Sequence, residues 1–314
     1  MKLCTYAGPG GRQVPGVITR DGEGIASLAD DFADILALIA AGEAGLDTAR
    51  RRQAAPSQVV ALRETRLLAP IPVPPQFRDF NNHPQHMRDA PKGGAKLRAR
   101  LDGRPVPSSE QLDFPVPEVY RRLPIFYITN RFSISGPDAD VPRPRYSSHL
   151  DYELEMAMVL GRGGKDIAEK DAADHVFGYT IFNDFSARDR QMAEMEGRLG
   201  PAKGKSFDGG NALGPWIVTR DEIPDPFALR VSVSINGEVR GRNDGREMIH
   251  SFARMIAYVS EDETLHPGEI FGSGTYGGCC GMEIDYFLRD GDVVELEIEK
   301  IGKLRNRVVP AERG

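Results

Sequence analysis

The sequence is poor in cysteine. Cys4, Cys279 and Cys280 are the three in 314 residues, and two of them are adjacent. That excludes a disulfide framework and suits a reducing compartment. Long apolar runs are also missing: nothing approaches the roughly 20 residues a membrane-spanning helix needs. There is no excess of positive charge. The formal charge of −6 argues against nucleic acid or an anionic membrane as the main partner. "MKLCTYAG" puts no basic stretch ahead of an apolar core, so no signal peptide is expected. Repeats and low-complexity tracts are absent too. What is present is an ordinary globular composition, 40% hydrophobic and 27% charged, long enough to bury a full core. The expected location is the cytoplasm.

Residues 1–68 read as a small N-terminal α/β domain, with strand-like "KLCTYAG" and "VPGVITRDGEGIASL" ahead of helical "ADDFADILALIAAGEAGLDTARRRQ". The proline-rich passage "LLAPIPVPPQFRDFNNHPQHMRDAP" is expected to be extended loop or edge structure, because proline fixes φ and removes donors. A domain boundary is placed at 69. Residues 88–120 are polar and turn-rich, and read as a short helix and a long loop of the type that serves as a lid. Beyond them come many short apolar strands. Two helices interrupt these, near "SARDRQMAEMEGR" and "REMIHSFARMIAYVSED". The fold class is therefore α+β, mainly β: a mixed sandwich or barrel over 69–314. "VSVSINGEVR" predicts a hairpin turning at Asn236-Gly237.

Several motifs mislead. "GPAKGKS" resembles a phosphate loop, but only three residues separate Gly200 from Gly204 where the motif needs four. "GRGGKD" is not GxGxxG, and no acidic-tipped βαβ unit follows it. Cys279-Cys280 lack CxxC spacing and have no histidine near them in sequence, which counts against zinc. No GxSxG elbow supports a serine triad.

"HLDYELEMAMVLG" carries an acid at every second position: Asp151, Glu153 and Glu155. On a strand they share one face, while Tyr152, Leu154, Met156 and Met158 share the other. Alternation alone proves nothing, because "DVVELEIEK" does the same with Glu295, Glu297 and Glu299 and has no functional company. The first strand does have company. Asp184 ends the apolar "YTIFND", and Lys205 sits among glycines in "KGKSFDGGNALGPW". Asp79, His83 and His86 lie in "RDFNNHPQH", read as a proline-stiffened loop, and Thr275 and Glu283 in "GSGTYGGCCGME". Carboxylates with one lysine and one histidine make a hard-cation hydrolytic constellation.

With these motifs in order, the sequence resembles the fumarylacetoacetate hydrolase superfamily from about residue 70 to its end. The landmarks are "DYELEMAMVLG", "GYTIFNDFSARDRQ", "GKSFDGGNALGPWIVT", "LHPGEIFGSGT" and "GDVVELEIEKIGKLRNRVV". "RDFNNHPQH" is similar to the pattern of the fumarylacetoacetase-like branch. The resemblance implies Asp79, Glu153, Glu155 and Asp184 as metal ligands, with Asp151 flanking. It implies His86 as general base, with His83 as the alternative, and Glu283 as the acid that orients it. Lys205 matches a group that stabilises developing negative charge. Arg188 and Gln191 match substrate-binding groups, as Tyr127 and Thr275 do more weakly. Asn81 stands where the branch pattern has tyrosine, and Gly209 near a threonine position; both departures bear on the identity of the substrate.

All-oxygen ligands select Mg²⁺, Mn²⁺ or Ca²⁺. The expected function is metal-dependent hydrolysis of a C–C bond in an acylpyruvate or related β-diketo acid, within aromatic catabolism. The alternative is a lyase or isomerase on the same scaffold, acting on a 2-oxo acid. A binding protein that kept the fold without the activity is the third reading, against which the retained carboxylates and Lys205 argue. By resemblance the chain is expected to be a homodimer acting on a small molecule.

Overall fold

The expected strands are present, and they join into three sheets in a computed structural model that describes residues 1–311. The largest sheet has 12 strands, and its centre runs Lys2–Ala7, Asn211–Thr219, Val176–Asp184, Leu154–Leu160, Ile270–Gly272, Phe77–Phe80, Phe126–Ile128. Pairing is antiparallel except at two places, one being Ile270–Gly272 beside Phe77–Phe80. A second sheet of five strands includes Arg230–Ile235 and Val293–Ile298. Its hairpin turns at Asn236 and Gly237, both at positive φ, as the Asn-Gly pair predicts. The smallest sheet pairs Leu150–Asp151 with Ser186–Ala187. This is α+β architecture, mainly β.

The Leu154–Leu160 strand is buried on both faces. Leu154, Met156, Met158 and Leu160 enter one core with Val231, Val233, Leu296 and Ile298 of the second sheet. Ala157 and Val159 point the other way, into a core shared with Leu3, Ile35, Leu38 and Ile39. Glu155 and Glu153 extend that second face beyond the apolar cover, and there the site begins. The strands of residues 1–68 continue the large sheet through the pairing of Lys2–Ala7 with Asn211–Thr219. Helix Ile35–Ala40 starts at Asp34, whose carboxylate accepts from Ala37 N–H at 2.8 Å.

Two expectations are corrected. The proline-rich passage contains a sheet strand, Phe77–Phe80, so Asp79 lies on a strand and not in a loop. The prolines end at Pro75, which leaves Phe77–Phe80 free to pair on both sides. His86, too, lies in no loop. It sits in the first turn of helix Pro84–Leu101, far longer than the short helix expected. Pro84 takes a first-turn position, where its missing N–H costs nothing. Met87 and Leu97 are buried, and the helix continues through Pro91. The two interrupting helices are present as Arg188–Met195 and Phe252–Ser260.

Candidate active site

The carboxylates arrive from three strands of the large sheet and the bridge that precedes one of them. Asp79 lies within Phe77–Phe80, Asp184 ends Val176–Asp184, and Glu155 is near the start of Leu154–Leu160. Glu153 sits just before that strand, in a bridge with Cys280. Oxygens of Asp79, Glu155 and Asp184 lie within 4.8 Å of one another, and all three side chains are buried. Glu155 accepts from Gly274 N–H at 2.9 Å and from the Thr275 hydroxyl at 3.3 Å. Asp184 accepts from the Tyr127 hydroxyl at 2.7 Å and from Lys205. One oxygen each of Asp79 and Asp184 has no hydrogen-bond partner among the described residues.

Gly272 makes room for this convergence. A Cβ there would run into Asp79 Oδ1 and would stand 2.9 Å from Glu155 Oε2. Lys205 reaches the cluster from the short helix Ala202–Lys205, which packs tightly on Arg188–Met195 because Gly204 has no side chain to strike Gln191. The lysine of the misleading "GPAKGKS" therefore points at carboxylates.

Glu153 keeps different company. It accepts from Arg188 at 2.6 Å and from Lys205, and its Oε1 is 3.7 Å from His86 Nε2. His86 Nδ1 lies 3.4 Å from Glu283 Oε1, an oxygen otherwise without a partner. Arg188 also binds Asp151 at 2.8 Å and Gln191 at 2.8 Å. Asp151 in turn accepts from Gly281 N–H and Met282 N–H, and so anchors the turn that carries Glu283.

The charges answer this geometry. Burial raises the pKa of Glu155, Asp184 and Asp79, and the neighbouring Asp79 adds to it at Glu155 and Asp184. The hydrogen bond with Glu155 and the charge of Lys205 oppose it at Asp79, and Lys205 opposes it at Asp184. Burial also works to raise Glu153, but Arg188 and Lys205 outweigh it and hold that carboxyl well below its usual range. Lys205 is pushed up, since Asp184 and Glu153 outweigh its desolvation. For His86, burial pulls down while Glu283 pushes up more strongly, leaving it above its ordinary value. His83 is different. Buried against Tyr276 with ring centroids 4.5 Å apart, it is pushed down to about 3 by burial and by His86.

Three buried carboxylates with raised pKa values, two of them with an unpartnered oxygen, are the donor set that suits a hard divalent cation. A second cluster, of His86, Glu153 and Cys280, also brings ligand atoms within 4.8 Å, so the fold supplies the histidine that sequence spacing denies Cys280. Burial and Glu283 drive the Cys280 thiol well up, and Arg188 already occupies Glu153. That cluster is therefore a poor thiolate site.

The groups surround a cavity of about 770 Å³. Of the eleven residues singled out in the sequence, Asp79, His86, Tyr127, Glu153, Glu155, Arg188, Gln191, Lys205 and Thr275 line it. Asp184 and Glu283 stand behind that lining, touching Lys205 and His86. Sequence reasoning missed Gly272, the Gly274 N–H donor and the wall formed by Phe114 and Tyr120. The glycine density of "GEIFGSGT" was the available signal for the first two.

Fold and site together define an enzyme: a β-rich scaffold with a carboxylate cluster suited to a divalent cation and a histidine–glutamate pair beside it. The chain belongs to the fumarylacetoacetate hydrolase superfamily, since the fumarylacetoacetate (FAA) hydrolase C-terminal profile matches residues 76–309. It is 34% identical over 270 residues to mitochondrial oxaloacetate tautomerase FAHD2A of Homo sapiens, covering 85% of this chain and 77% of that one. Among solved structures it resembles a fumarylacetoacetate hydrolase from Exiguobacterium antarcticum, with TM-score 0.73 and 28% identity over 99% of this chain and 100% of that one. It also resembles a 5-carboxymethyl-2-hydroxymuconate delta-isomerase from Mycobacterium smegmatis, with TM-score 0.70 and 26% identity over the same shares. One scaffold thus carries hydrolases, isomerases and tautomerases. No helix among the described residues is long and apolar enough to cross a membrane.

Proposed function

We propose that this chain is a divalent-metal-dependent hydrolase that cleaves a C–C bond in an acylpyruvate or related β-diketo acid. The observation that carries the reading is the His86–Glu283 pair, 3.4 Å apart and opening onto a cavity of about 770 Å³ beside the carboxylates. Asp79, Glu155 and Asp184, with Glu153 next to them, would hold Mg²⁺, Mn²⁺ or Ca²⁺. When bound, such an ion supplies charge that polarises a chelated 1,3-dicarbonyl.

The chain's own groups divide the remaining work. His86 Nε2 takes a proton from water, and Glu283 orients the ring and balances the imidazolium. The hydroxide oxygen bonds to the acyl carbonyl carbon. The bond from that carbon to the methylene breaks, and its electron pair passes into the enolate of pyruvate. The proton held on His86 returns to the methylene carbon, so the products are a carboxylic acid and pyruvate. Lys205 is kept protonated by Asp184 and Glu153, so it serves as a fixed cation and donor for developing negative charge, not as a base. Arg188 and Gln191 are assigned to the substrate carboxylate, and Tyr127 and Thr275 to ordering the cluster. His83 is excluded from the base role in this reading by its depressed pKa.

A second reading is tautomerisation of a 2-oxo dicarboxylate, favoured by the likeness to oxaloacetate tautomerase. The same His–Glu pair can move a proton between carbon and oxygen without water. Purified protein with Mg²⁺ would be screened against acylpyruvates, fumarylpyruvate, fumarylacetoacetate and oxaloacetate, following loss of enol absorbance in ¹⁸O-water. Hydrolysis places ¹⁸O in a released carboxylic acid, and His86→Ala lowers kcat by about 10²–10⁴-fold. Unchanged turnover in His86→Ala would sink the mechanism. Enol loss from oxaloacetate with no acid released from any acylpyruvate would replace hydrolysis by tautomerisation. The reading also carries a homodimer, a cytoplasmic location and a role in aromatic catabolism.

A further inference from the structure

The cavity lining is of two kinds. One is polar and holds the carboxylates, Arg188, Lys205 and His86. The other is apolar, built by Met87 and Ala90 of the Pro84–Leu101 helix, by Phe114, Tyr120 and Phe126, and by Met192 of the Arg188–Met195 helix. Four of the chain's nine methionines (Met87, Met192, Met195 and Met282) touch the cavity, giving a soft surface that adapts to different shapes.

Each lysine and arginine side chain on the lining already has a carboxylate partner, and Arg188 is assigned above to the head of the ligand. Arg188 is bound to Asp151 and Glu153, Lys205 to Glu153 and Asp184, and Arg98 to Glu196. A second carboxylate on the far side of a substrate would lose its water against rings and thioethers. It would find no unmatched cation among the lining residues to receive it, and an unpaired buried charge is strongly disfavoured. Alkyl or aryl carbon there is favoured instead, by about fourfold in affinity for each methylene removed from water.

We infer that this site takes 2-oxo acids whose distal part is an uncharged alkyl or aryl group, in preference to dicarboxylates. The inference rests on the reading above for the 2-oxo head of the ligand and adds the identity of its tail. It also separates the chain from a specialised oxaloacetate enzyme, because a four-carbon dicarboxylic acid would leave the apolar wall uncovered.

The test uses the full chain with Mg²⁺ and two sets of probes. Binding of pyruvate, 2-oxooctanoate and 2-oxoglutarate is measured by calorimetry and by the rise in Tm. Turnover is measured on acetyl-, hexanoyl-, benzoyl-, crotonyl- and fumarylpyruvate. The expected result is 2-oxooctanoate bound about tenfold or more tighter than 2-oxoglutarate. Equal or tighter binding of 2-oxoglutarate overturns the inference. In Phe114→Ala the affinity ratio of 2-oxooctanoate to pyruvate falls several-fold, and an unchanged ratio overturns the assignment to this wall. Among substrates, crotonylpyruvate exceeds fumarylpyruvate in kcat/KM, and a preference for fumarylpyruvate overturns the inference. The binding order decides the inference even where no acylpyruvate is turned over. Release of pyruvate from any acylpyruvate decides the reaction, so failure of one is distinguishable from failure of the other.

Discussion

Gly272 shows how much of the site depends on a side chain that is not there. It pairs with Asp79 on one neighbouring strand and Ala157 on the other, and two carboxylates close over its Cα. Gly272→Ala would force Asp79 and Glu155 apart, although the backbone there needs no positive φ. Loss of such close support around a metal site typically costs about 10–100-fold in affinity. Calorimetric titration with Mg²⁺ should show that loss, and an unchanged Mg²⁺ affinity would remove the cluster from the account. The acids themselves carry the same lesson. Glu153 and Glu155 are 3% and 1% exposed, whereas Glu297, at the same period on its own strand, is exposed and pairs only loosely with Lys303. The alternation was legible in both strands, and the difference between them was not. It lies in what covers each face.

At the scale of elements, the segment after Phe77–Phe80 was the hardest to read. Proline argues against strand and helix alike unless its position within the element is known, and here Pro84 falls where a helix tolerates it. The helix entry also decides between the two histidines. His83 immediately precedes Pro84–Leu101 and turns into the core, while His86, one turn on, faces the cavity. Because the folded-state pKa of His83 is lowered to about 3, the unfolded chain binds a proton below its ordinary value of 6.5 and the native state does not. Its contribution is therefore intact above pH 6.5 and is lost as pH falls toward 3. Between pH 6.5 and 4.5 the native state should lose about 2 kcal/mol through this group. Urea unfolding of wild type and His83→Phe at the two pH values checks this: the variant should show a flatter dependence, and identical slopes would place the pH sensitivity elsewhere.

At the scale of the whole molecule, one sheet runs from the N-terminal strands to the strands that carry the acids. We propose a boundary near residue 69 between two lobes that share this sheet. The N-terminal lobe covers Ala157, Val159, Phe182, Leu213 and Ile217, on the same face of the strands that carries Glu155 and Asp184 farther along. Removing residues 1–68 bares that apolar face and frees the Asn211–Thr219 edge at its pairing with Lys2–Ala7. The truncated chain should be insoluble, or bind an apolar fluorescent dye, with no cooperative thermal transition. A soluble truncation with the wild-type Tm would show that the lobes are energetically independent.

Local chemistry was enough to write down most of the strands, the Asn236-Gly237 hairpin and the charged groups that meet around the cavity. Backbone geometry imposes a two-residue period on a strand whatever surrounds it, and a motif is a short-range object. The pairing of Asp79 with Glu155, the diversion of Glu153 to Arg188, the burial of His83 and the apolar part of the cavity lining were decided only by tertiary structure. Each depends on desolvation and charge contributed by segments distant in sequence, and no local period carries that information.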